Sequence, residues 1–157
     1  MPSHNIPPVW DENSKVLILG SFPSPKSRET GFFYGHPQNR FWKILSAVFE
    51  EELPTTTEEK KAFLLKNGIA LWDVIKSCEI VGADDNSIKD PVPNDLSIIK
   101  ADIKAVFTTG KTATLYYKKF TGKDSIYLPS PSPANRAVND DKMKDAYGVI
   151  KKYCKGE

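Results

Sequence analysis

Three segments gather the residues able to act on a ligand. The first, Gly31 to Leu45 (GFFYGHPQNRFWKIL), crowds Phe32, Phe33, Tyr34, Phe41 and Trp42 around His36, Asn39 and Arg40. Phe32, Phe33 and Tyr34 lie on the loop side, where at least one aromatic face is expected to stay open, and a planar base is a natural partner for such a face. Phe41 and Trp42 fall at helical spacing and read as core. His36 can polarise or position a ligand, although a single His before Pro serves as readily as a structural hydrogen-bonder. Asn39 stands immediately before the helix, where its side-chain oxygen can cap the free N–H groups of the first turn.

The second segment is Gly20-Ser21-Phe22-Pro23-Ser24-Pro25. Its Gly lets the backbone approach a ligand closely, and its prolines fix where the N–H groups of Ser21 and Phe22 point. An ordinary Gly/Pro turn explains the same residues. The third, Pro129 to Arg136 (PSPSPANR), alternates Pro with Ser. Three prolines hold the chain extended and present the hydroxyls and N–H groups of Ser130 and Ser132 in a fixed row that suits phosphate oxygens. A stiff surface linker, with Arg136 a solvated charge, is the plainer reading. Gly110-Lys111-Thr112 resembles the end of a phosphate loop, but Ala105 stands where that pattern needs Gly.

These segments need elements to position them. Val16-Leu17-Ile18-Leu19, ended by Gly20, reads as a strand buried on both faces. A helix is predicted from about Arg40 to Phe49, and a second from the capping-box spacing Thr56-Thr57-Glu58-Glu59 to a stop at Gly68. Ile69 to Ile75 is predicted as a second strand, followed by a polar loop through Asp84-Asp85-Asn86-Ser87 to Pro93 and a short helix near Asp95 to Lys100. Ala105 to Thr108 and Ser125 to Leu128 complete the strands, with a helix from Thr112 to Lys119 between them and one from about Asp140 to Tyr153 at the end. Alternating strands and helices imply a parallel sheet covered on both faces, and such sheets bind ligands at the carboxyl ends of their strands. GSFPSP, the end of LWD and LPSPSPANR therefore fall on one edge.

Composition narrows the class further. At 157 residues, with 39% hydrophobic and 27% charged residues, the chain suits one packed domain. A net charge of +2 is too small to steer the whole molecule toward a polyanion, so nucleic-acid contact would need a local basic surface. Two cysteines, Cys78 and Cys154, cannot build a four-thiolate zinc site or an iron–sulfur cluster. No apolar run approaches a membrane span and no signal-type segment opens the chain, so a cytoplasmic protein is expected.

Taken together, the three segments resemble the uracil-DNA glycosylase superfamily. GSFPS is similar to its first motif, a G-x-x-P-type turn after strand one; LPSPSPANR is similar to its second, an H-P-S-type loop after the last strand. YGHPQNRFWKIL resembles the segment shared by the mismatch-specific branch, and with GIALWDVI the pattern is most similar to the hypoxanthine (deoxyinosine) branch, over roughly Val16 to Tyr153. The resemblance implies a three-layer α/β/α sandwich around a four-stranded parallel sheet. It also implies a monofunctional enzyme that hydrolyses the glycosidic bond of a deaminated base flipped from DNA; no metal or other cofactor is expected, and the sequence shows no sign of obligate oligomerisation, so a monomer is expected.

Roles follow from the resemblance residue by residue. Asn39 would orient water against an oxocarbenium-like sugar, since an amide is no base near neutral pH. Gly20, Ser21, Phe22, Pro23 and Tyr34 would form the base pocket. Asp73, as a carboxylate, would accept a hydrogen bond from hypoxanthine N1–H, although a capping or salt-bridged Asp at a strand end fits the position equally. Ser130, Ser132 and Arg136 would hold phosphates, Ala134 and Asn135 would enter the vacated stack, and Lys26, Arg28 and Lys43 would add nonspecific attraction. Two departures stand out: Phe22 replaces the water-holding carboxylate or Asn of other branches, and Leu128 replaces the second-motif His. A uracil glycosylase is the nearest rival reading, and a binding module with an eroded site is a rival of another class. A nucleotide-binding α/β protein is disfavoured by the absence of a Gly-rich fingerprint after the first strand.

Overall fold

A computed structural model describes residues 6–23, 27, 31–35, 38–82, 84–133 and 135–154. His36 and Ala134, with Ser24, Pro25, Lys26 and Arg28, lie outside the described residues. In chain order the elements are β1 (Val16–Gly20), α1 (Phe41–Val48), α2 (Thr57–Lys66), β2 (Ile69–Asp73), β3 (Ile75–Val81), β4 (Asp84–Pro93), a 3-10 turn (Leu96–Ile98), β5 (Ala105–Thr109), α3 (Lys111–Thr121), β6 (Ile126–Leu128), α4 (Asp140–Tyr147) and α5 (Val149–Cys154).

Four strands pair in the order β2-β1-β5-β6, all parallel. Every residue of β1 and of β2 is buried. Because successive side chains of a strand point to opposite faces, both faces of the sheet centre must be covered. The covering is done by α2 on β2, α3 on β5 and α5 on β1, with α1 packed against α4. The α/β class with a four-stranded parallel sheet is therefore as expected.

The second half departs from expectation in three places. Ile69 to Ile75 is not one strand: β2 stops at Asp73, and the Val74 and Ile75 N–H groups turn to the carbonyls of Gly20 (2.8 Å) and Ser21 (3.0 Å). The stretch read as a polar loop is an antiparallel hairpin of β3 and β4. Ile88 is the single buried residue among the ten of β4, and the ladder carries register shifts, so no alternating pattern exists to betray it. Side chains hold its tip instead, with the Ser87 hydroxyl accepting from Val81 N–H and donating to the Asp84 carbonyl. The closing helix is also divided, at Gly148, into α4 and α5.

Candidate active site

Gly20, Asp73 and Thr109 end β1, β2 and β5, and all three line a cavity of about 290 Å³. Its wall also includes Ser21, Phe22, Pro23, Tyr34, Asn39, Ser130 and Ser132. The residues singled out from three distant segments thus meet in one space at the carboxyl edge of the sheet. Asn135 and Arg136 are not part of its lining. Asn135 donates from Nδ2 to the Ser130 carbonyl (2.9 Å) and shapes the loop from within, while Arg136 is solvent-exposed.

The aromatic segment folds inward more than its composition suggests. Phe32 and Phe33 are buried, Phe33 still bordering the cavity; the Trp42 indole N–H donates to the Phe33 carbonyl (3.2 Å) and Phe32 stacks at 6.0 Å on Trp42. Tyr34 is half-buried. It stacks on Phe41 with centroids 4.0 Å apart, and its hydroxyl shares a 3.0 Å hydrogen bond with the Thr109 hydroxyl. Its backbone takes a left-handed conformation (φ 52°), unusual for a bulky residue and fixed here by those two contacts. Burial, with the nearby Asp73, raises its pKa and keeps the phenol neutral.

Asn39 sits one residue before the first-turn cap of α1. Its Oδ1 accepts from the Phe41 N–H (2.9 Å), which fixes the carboxamide while it lines the cavity, half-buried. Capping and facing the cavity are therefore one geometry. Arg40, which sequence reasoning passed over, locks that geometry to the Ser/Pro loop. Its guanidinium donates to the carbonyls of Asn135 (2.6 Å) and Val138 (2.8 Å) and meets Asp140 at 3.3 Å, while its backbone N–H donates to the Pro131 carbonyl. The Tyr147 hydroxyl holds the start of the loop through the Pro129 carbonyl (2.7 Å). Gly110, at φ 93°, lets α3 begin against Ser130, where a Cβ would stand 3.3 Å from the serine's own Cβ.

Within that loop the Ser130 hydroxyl already accepts from the Ser132 N–H (3.2 Å), so the row of free donors expected there is partly used internally. Lys43 is likewise engaged, pairing with Asp140 at 2.7 Å on the surface. Replacing Arg40 by Met strips the Asn135 and Val138 carbonyls of their charged donor and leaves Asp140 with Lys43 alone. It is expected to lower stability by roughly 2–3 kcal/mol in urea unfolding and to loosen the cavity, read as a weaker response to substrate.

Two carboxylic acids border the cavity. Asp73 is almost wholly buried, and desolvation, reinforced by the charge of Asp85, pushes its pKa from 3.8 to about 8. Asp73, expected as a carboxylate, is thus pushed toward its protonated form near neutral pH, because the strand end offers it little solvent. Asp85 comes from the unforeseen hairpin and lies at the mouth with much of its surface open to water. The Ser21 hydroxyl donates to it, at 3.2 and 3.1 Å from its two oxygens. Crowding by the cavity wall raises its pKa, the Ser21 and Thr112 hydroxyls lower it, and Asp84 raises it. No sequence pattern marked Asp85 or Thr109, since each is a single polar residue placed by long-range pairing. Among the described residues no cluster of His, Cys, Asp and Glu is arranged to hold a metal.

An α/β protein whose ligand space opens at the carboxyl edge of a parallel sheet is the class that fold and site define. The chain belongs to the uracil DNA glycosylase superfamily, whose family model matches residues 7–151. It is 38% identical over 142 residues to the hypoxanthine DNA glycosylase of Methanosarcina barkeri, covering 87% of this chain and 90% of the relative. With the hypoxanthine DNA glycosylase of Methanosarcina acetivorans it shares 34% identity over 157 residues, 96% and 99% of the two chains. The solution NMR structure of a Methanosarcina acetivorans protein, described as a candidate uracil DNA glycosylase, superposes with a TM-score of 0.82 at 31% identity over 98% of each chain. No helix among the described residues is long and apolar enough to cross a membrane.

Proposed function

We propose that this protein is a monofunctional DNA glycosylase that hydrolyses the bond between deoxyribose and hypoxanthine, leaving an abasic site. The relatives named for that activity support the substrate class, and one hydrophobic cluster running through all the main elements supports a single domain. The observation that carries the reading is the convergence of Asn39, Asp73 and the Ser/Pro loop on one cavity.

A base stacked in a duplex is out of reach, so it enters the cavity only when flipped, and the weak pairing of hypoxanthine lowers that cost. Phe22 and Tyr34 form apolar walls for the ring. Asp73, protonated, donates to O6 and accepts from N1–H, matching both groups of the lactam edge, where a carboxylate would match only one. Asn39 holds water toward the sugar, whose transition state carries positive charge, and preorganised dipoles rather than a strong base supply most of the rate. Ser130, Ser132 and Arg136 steady the flanking phosphates, with Asn135 bracing the loop that carries them.

Duplexes carrying one inosine, uracil or xanthine, scored for abasic sites under single turnover, test this directly. Fastest cleavage at inosine is expected. Uracil presents a similar lactam edge, so cleavage at uracil with inosine intact would mean that cavity shape, and not Asp73, selects the base.

Asp73 also sets a pH dependence. The folded state keeps a proton that the unfolded chain releases near pH 3.8, so Asp73 makes stability fall as pH rises from about 4 toward about 8. Base release is expected to decline above pH 8 as the donor is lost. Asp73→Asn, whose amide both donates and accepts at any pH, is expected to retain turnover and to lack the decline, as a pH–rate profile would read.

A further inference from the structure

We propose that Asp85, carried in by the β3–β4 hairpin, is the carboxylate that takes a proton from the attacking water. This rests on the glycosylase reading and assigns the role that Phe22 leaves vacant after β1. Among the described residues lining the cavity, the carboxylic acids are Asp73 and Asp85, and they differ in depth: Asp73 is 4% exposed, whereas Asp85 borders solvent. A flipped nucleotide enters base first, while its sugar stays tied to the strand. The deep acid therefore meets the base, and the acid at the mouth meets the sugar.

Asn39 needs such a partner. Its carbonyl oxygen is already engaged by the Phe41 N–H, and a neutral carboxamide is far too weak a base to accept the proton of water. Asp85 is held by Ser21, whose hydroxyl spans its two oxygens, and the Thr112 hydroxyl at the start of α3 favours its charged form. A carboxylate has about four acceptor sites, so capacity remains for a water. Its negative charge also lies at the level where the sugar becomes cationic.

In the reaction the C1′–N9 bond breaks and its electron pair leaves with hypoxanthine. The oxygen of water forms the new C1′–O bond and passes one proton to Asp85, which returns it to solvent. The departing base takes one proton from solvent, so the sum is water added across the glycosidic bond.

Asp85 also latches the hairpin to the loop after β1, and the test separates the two roles. Asp85→Asn preserves shape and still accepts from Ser21 through its amide oxygen, removing only charge and basicity. Single-turnover release from an inosine duplex is expected to fall by roughly 10²-fold, with DNA affinity and melting temperature close to those of the wild type. An Asp85→Asn protein cleaving within about threefold of the wild-type rate would overturn this assignment and leave the glycosylase reading intact. A wild-type protein that releases no hypoxanthine would overturn both.

Discussion

Asn39→Ala is expected to slow hypoxanthine release by roughly 10²–10³-fold, the scale seen when one preorganised polar group is removed from a reacting centre, with affinity for inosine duplex nearly unchanged. The carboxamide touches water and sugar rather than the bulk of the DNA interface, so its loss falls on the chemical step. The Phe41 N–H loses its acceptor in the same variant, a cost of about 1 kcal/mol typical of a cap, which calorimetry would register separately. Asn39→Asp keeps the acceptor for Phe41 and is the control for that cost. Single-turnover rates beside binding isotherms distinguish this outcome from that of a binding module, which would keep its affinity and have no turnover to lose.

Gly20→Ala is the second large effect. A Cβ at Gly20 would lie 2.6 Å from Asp73 Oδ1, 3.3 Å from the Tyr34 hydroxyl oxygen and 3.7 Å from Thr109 Oγ1. Gly20 and Asp73 are register partners in adjacent parallel strands, so the backbone cannot slide to relieve the contact. The Asp73 side chain must move instead, and overpacking of this kind costs about 1–3 kcal/mol. Turnover is expected to fall further than stability, because the displaced group is the one that meets the lactam edge. Urea unfolding and single-turnover release on the same preparation would show the two losses. A variant with a wild-type rate would mean that Asp73 does not contact the base.

The sheet was legible because β1, β2 and β5 are built from runs of apolar residues, each ending in a small or polar residue at the ligand edge. The hairpin was not. With Ile88 the only buried residue of β4, its order comes from pairing with β3 and from Ser87, neither of which leaves a periodic trace. The cavity was half legible for the same reason. GSFPS, HPQNRFW and PSPSPANR stand out by composition, whereas Asp85 arrives on the unseen hairpin, and Arg40 reaches carbonyls 95 and 98 residues away. Of Phe32, Phe33 and Tyr34, at least one was expected to keep an open face; Phe33 and Tyr34 border the cavity, while Phe32 turns inward. Trp42 and Phe41 draw the segment into the core. Asp73 could be placed at a strand end from its position after LW, but its protonation depends on burial and on Asp85, which only the assembled fold provides.

The central geometric claim is best tested by a crystal structure of the Asn39→Ala protein bound to a duplex containing a single inosine, the slowed variant preserving the intact nucleoside. Hypoxanthine is expected out of the stack between Phe22 and Tyr34, its O6 and N1 within hydrogen-bond distance of Asp73, and its sugar at the level of Asp85. Hypoxanthine still stacked in the helix, or bound on another face with this cavity empty, would contradict it.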